Sequence, residues 1–188
     1  MLIRVLETGE FIDRPDVGLK VVVSGRCKRN EMIRLEDITK NLGETFRHRK
    51  VCLELKDVPQ HVALPRSWEN FGLRPRLAPV FPDGWNSFSN EFPSIIALLH
   101  DCLLGTVLLL GDEIELAYIF HDGNSLYYYV GGRPVEGGTT ETFEFKHLPS
   151  RLQDFYREVH DGYTFFPARS MGPQRLGDQS RVSELVDE

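Results

Sequence analysis

Late in the chain, Leu152, Phe155, Tyr156 and Val159 recur at positions i, i+3, i+4 and i+7, placing four apolar side chains on one helical face. Local signals agree with that period. Pro149 suits the mouth of a helix, Ser150 with Gln153 fits a capping box, and Gly162 stands where a left-handed C-terminal cap is needed. The pattern predicts a docked helix from Pro149 to about His160, which releases the chain near Asp161 into Tyr163 to Phe166. A second helix is expected from about Glu31 to Leu42, capped by Asn30, with Met32, Leu35, Ile38 and Leu42 on its apolar face and Gly43 ending it. A third starts at Asn90 or Ser94. Its Ile95, Ile96, Leu98, Leu99, Cys102 and Leu103 leave few positions for water, which predicts a central helix.

Between the helices lie short strand-like runs. Leu2 to Leu6, Leu19 to Ser24 and Val51 to Leu55 are strand candidates in the first third. Thr106 to Leu110, Ile114 to Phe120 and Leu126 to Val130 follow, rich in β-branched and aromatic residues. Asp122-Gly123-Asn124 is a turn signal that joins the last two as an antiparallel hairpin. Thr140 to Phe145 offers a further strand, with Phe143 and Phe145 on one face. From Asp57 to Asn90, five prolines break any long periodicity, while Trp68, Phe71, Phe81, Trp85 and Phe88 predict that the segment is packed down. No βαβ alternation runs through the chain, so the expected class is α+β, an antiparallel or mixed sheet flanked by helices. The expected organisation is one domain over residues 1–188, with a small β-rich N-terminal unit at 1–56 and a polar tail at 174–188.

The segment from Leu148 to Gly162 also resembles the signature helix of the SUKH superfamily. It opens on Leu148-Pro149, carries the aromatic pair Phe155 and Tyr156, and leaves at Asp161-Gly162. In that superfamily the signature helix precedes most of the sheet, whereas here the strand candidates precede the helix. Many bacterial members are immunity proteins that bind and neutralise a toxin made by the same cell, without catalytic residues. The resemblance therefore implies a non-enzymatic binder that blocks a cognate protein toxin by covering its active site.

Composition sets limits on the partner. Of 188 residues, 41% are hydrophobic and 27% charged, the composition of a globular protein with a real core. The net charge of −6 disfavours nucleic acid and anionic lipid, and makes a basic partner electrostatically easier. No signal-peptide h-region or membrane-length apolar run is evident, which predicts a cytoplasmic protein. Cys27, Cys52 and Cys102 are odd in number and widely spaced, as expected of reduced thiols.

Candidate chemistry is sparse. Three His-Asp dipeptides, His100-Asp101, His121-Asp122 and His160-Asp161, suggest the alternative of a metal-dependent hydrolase or nucleotide-processing enzyme, since imidazole and carboxylate can share a divalent ion. Two of the three precede glycine and read as turns. His48 and His61 add no ligand spacing, the cysteines form no CxxC, and the glycine pairs 131-132 and 137-138 fit neither a dinucleotide nor a phosphate loop. No metal, cofactor or catalytic residue is expected. Glu113 and Glu115 share one strand face, read first as a solvated side. One feature tilts toward binding: Tyr127 and Tyr129 lie on one face, Tyr128 on the other, near Asp122, a pattern that half-buried strand tyrosines supporting a neighbouring loop would give equally. With Glu113, Glu115, Asp161 and Tyr163 they form the expected partner-binding set, in which tyrosine supplies contact area and carboxylates select a basic toxin.

Overall fold

The computed structural model describes residues 33–74, 79–136 and 143–178, apart from the side chains of 143 and 144. Strand candidates 2–6 and 19–24, and the expected cap and opening of the first helix at Asn30 and Met32, lie outside the described residues. The order is α1 (Leu35–Thr45), β1 (Lys50–Cys52), α2 (Pro93–Cys102), β2 (Leu103–Leu110), β3 (Ile114–His121), β4 (Leu126–Gly132), α3 (Phe143–Lys146), α4 (Ser150–Glu158) and β5 (Asp161–Phe166). Among the described residues five strands form one antiparallel sheet in the order β1-β2-β3-β4-β5. The fold is α+β.

Alternation along the strands divides the core in two. On one face, Leu108, Leu116, Tyr118 and Phe120 pack against Leu99 of α2, Phe155 and Tyr156 of α4, and Trp68 and Trp85 of the proline-rich crossing segment. On the other, Val107, Leu109, Ala117, Ile119, Tyr128 and Val130 pack under Ile38 and Leu42 of α1 and Phe46 just beyond it. The expected ordered crossing segment is thus part of the core. Both tryptophans are fully buried on short 3-10 turns.

Several boundaries differ from the sequence reading. The helix assigned to Glu31 to Leu42 runs Leu35–Thr45 and passes through Gly43, because the apolar stripe continues from Ile38 and Leu42 to buried Phe46. Helix α2 is less central than expected: of its residues only Leu99 and Cys102 are buried, while Ile95, Ile96 and Leu98 are partly so. Phe143–Lys146 is one helical turn and not a strand; it seats Phe145 in the core beneath the Arg157 guanidinium, 4.7 Å from the ring centre. Cys52 is a buried free thiol, whereas Cys102 is disulfide-bonded and not reduced. Residues 174–178, where a polar tail was expected to begin, are docked against β5 and α4. Among the described residues no helix is long and apolar enough to cross a membrane.

The signature-like helix has the expected apolar face but other caps. Phe155, Tyr156 and Val159 are buried, with Leu152 partly so. Ser150 is already inside α4, Pro149 is the N-cap, and no side chain caps it; Gln153 Nε2 instead donates 2.8 Å back to the Leu148 carbonyl. Gly162 is not the C-cap. The helix ends at Val159, whose amide donates to Phe155 O, and Gly162 lies in β5 with φ +75°, where a Cβ would stand 2.8 Å from the Arg175 nitrogen.

Candidate functional site

The first polar cluster is one the sequence did not suggest. His160 is fully buried between Trp68, Trp85, Tyr118 and Tyr163. Trp85 Nε1 donates 2.8 Å to the Tyr118 hydroxyl, which lies 2.5 Å from His160 Nε2, and His160 Nδ1 lies 3.2 Å from the Gly132 carbonyl. A carbonyl only accepts, so Nδ1 carries the proton and Nε2 accepts from Tyr118. Burial pushes the imidazole from 6.5 down to about 3, with the Arg175 charge adding to the fall and the Gly132 bond opposing it. The ring is a neutral structural bolt. A Cβ on Gly131 would lie 2.4 Å from its Cγ, so only glycine admits it at that distance.

The second cluster forms around Glu115. Its carboxylate, 7% exposed, is ion-paired with Arg49 after α1 and with Arg175 in the C-terminal segment; Arg175 also holds the exposed Glu113. This overturns the solvated-face reading for Glu115. That face of β3 is not wet: Ala117 and Ile119 beyond Glu115 pack under α1, and Arg49 and Arg175 close over the carboxylate itself. Burial, together with Arg175 and Arg169, lowers the Arg49 pKa. Asp161 belongs to this end of the sheet too, opposite Gly132, and accepts the Leu176 amide at 2.9 Å.

Asp122, Tyr127 and Tyr129 lie toward the other end. Asp122 Oδ1 accepts the amides of Asn124 and Ser125, both at 2.9 Å, and those bonds hold its carboxylate below the usual range. His121 Nδ1 accepts the Gly123 amide at 3.0 Å, which completes the turn. Tyr127 stacks on Phe120 at 5.3 Å and 15°, and Tyr129 on Tyr163 at 5.0 Å and 16°. Both rings are half-buried; burial pushes the Tyr127 hydroxyl up to about 12 and raises that of Tyr129. Tyr163 is 2% exposed, with its hydroxyl unpartnered among the described residues, so it supports Tyr129 from below.

The seven expected partner-binding residues therefore divide. Asp122 and Tyr127 share the hairpin end, with Tyr129 midway along β4 on the same face; Glu113, Glu115 and Asp161 share the opposite end around Arg175; Tyr163 is interior. The His-Asp pairs are equally dispersed, on α2, at the hairpin and at the start of β5, and no group of three or more metal-ligating residues occurs among the described residues. Compared with protein-family models, curated proteins and solved structures, the chain matches none.

Proposed function

We propose that the chain acts by binding another protein, and that it is an immunity protein which neutralises a cognate toxin by covering the toxin's active site. The observation that carries the binding role is the preorganised hairpin end: an ionised Asp122 held by the turn's own amides, beside two half-exposed tyrosines already stacked on core rings. Rings fixed before contact lose little side-chain entropy on binding, and their neutral hydroxyls are available as hydrogen-bond donors. Asp122 and the net charge of −6 favour a basic partner surface. The toxin role rests on the SUKH-like helix, whose aromatic pair Phe155 and Tyr156 anchors α4 in the core.

The test is neutralisation. A toxin domain encoded beside this gene, expressed in a heterologous host, should arrest growth; co-expression of this chain should restore growth and yield a stoichiometric complex. Undiminished killing in the presence of the folded, expressed chain would overturn the reading.

A further inference from the structure

Among the described residues strand β5 lies at one edge of the sheet, and an edge strand offers a row of unpaired backbone groups to any other strand. Proteins usually blunt such edges with charge, proline or a bulge. Residues 162–166, Gly-Tyr-Thr-Phe-Phe, carry no charge and no proline. The alternation of an antiparallel strand points Thr164 and Phe166 toward β4 and the amides of Tyr163 and Phe165 outward. Both outward amides are taken by the chain that follows: Tyr163 N donates 2.8 Å to Pro173 O, and Phe165 N donates 2.7 Å to Ser170 O.

That covering segment, residues 167–178, is held from its far end. Arg175 is ion-paired with Glu113 and Glu115, the Leu176 amide reaches Asp161, and the Tyr156 hydroxyl donates to Gln174 O. Its turn is a costly one, with Arg169 at φ +46° and Met171 at φ +60°, conformations that non-glycine residues rarely adopt. The segment lies directly against the edge, since a Cβ on Gly172 would fall 1.8 Å from Tyr163 O.

We infer that residues 167–178 are a guard strap, pinned by Arg175, that keeps the β5 edge from pairing with a second copy of the chain. The edge is its own complement. With Thr164 opposite Thr164 across a two-fold axis, Tyr163 of each copy pairs with Phe165 of the other, satisfying both outward amides in place of Pro173 and Ser170. The strap is thus an autoinhibitory contact: displacing it turns a closed edge into a dimerisation edge.

Two full-chain variants test this from different sides. Gly172→Ala wedges the strap off Tyr163 without touching the ion pairs, and Arg175→Ala removes the pin. In dilute protein, with near-ultraviolet circular dichroism confirming the fold, amide exchange at Tyr163 and Phe165 should accelerate by roughly tenfold or more, while Thr164 and Phe166 stay protected. As concentration rises, light scattering should show dimer and the same two amides should become protected again. A merely loosened fold gives no such concentration-dependent re-protection. In the wild type, Tyr163 and Phe165 should exchange through a less costly opening than Thr164 and Phe166, a readout that does not depend on either variant folding. The inference is overturned if all four wild-type amides exchange in one common opening, if both folded variants leave Tyr163 and Phe165 as protected as before, or if the amides are freed and no dimer forms.

Discussion

Lowering the pH should destabilise this protein through one residue, His160. In the fold its imidazole is fully buried, neutral, and pushed from 6.5 down to about 3. The unfolded chain exposes the ring, which then takes up a proton near its ordinary value. Below pH 6.5 the unfolded state binds more protons than the folded one, so the folded state's advantage is complete above that value and declines as pH falls toward 3. Each pH unit inside the window is worth about 1.4 kcal/mol, and integrating between pH 7 and pH 4 gives a loss of about 3 kcal/mol from this group alone. Other groups titrate in the same range, so the comparison is with His160→Gln, which cannot take up that proton. Urea unfolding followed by the emission of the two buried tryptophans, from pH 4 to 8, gives both curves. His160→Gln should be less stable at pH 7 but flatter below 6.5, so the curves converge by about 3 kcal/mol. Parallel curves would show that His160 titrates alike in both states, refuting the bolt described for it.

Gly131→Ala should cost about 2 kcal/mol or more in the same assay, because the new methyl meets a ring clamped between Tyr118 and Gly132; a neutral effect would mean that the ring can retreat. Phe155→Ala should cost about 3 to 5 kcal/mol, as expected for a fully buried aromatic on α4; a loss below about 1 kcal/mol would place that face in solvent and remove the support for the family resemblance. Glu115→Gln should cost about 3 kcal/mol or more, since it strips two part-buried arginines of their shared carboxylate. A loss under about 0.5 kcal/mol would show that the cluster behaves as a solvated surface pair.

The meander and the apolar face of α4 were legible because each rests on a local code. Runs rich in β-branched and aromatic residues mark β3 and β4, Asp122-Gly123 defines their turn, and a 3.6-residue period brings Phe155, Tyr156 and Val159 together. What escaped was set by partners distant in sequence. Glu115 carries no mark distinguishing it from a solvated strand glutamate; its burial depends on Arg49 and Arg175, each at least sixty residues away. His160-Asp161-Gly162 reads as a turn, yet the strap against β5 draws Gly162 into the sheet and the aromatic face draws His160 into the core. Phe143 to Phe145 has strand-like alternation over too few residues to compete with helical packing beside α4. The hairpin tyrosines were placed correctly by alternation, but the carboxylates grouped with them were not, because Asp161 and Asp122 lie at opposite ends of the β4 register.

The most direct measurement is surface plasmon resonance against the cognate toxin domain, comparing wild type with Asp122→Lys and Tyr127→Ala, each confirmed as folded. If the hairpin end is the contact surface, Asp122→Lys should slow association and weaken its salt dependence, and Tyr127→Ala should raise the off-rate by roughly tenfold or more. Binding kinetics unchanged in both folded variants would contradict the assignment of the partner surface to Asp122, Tyr127 and Tyr129.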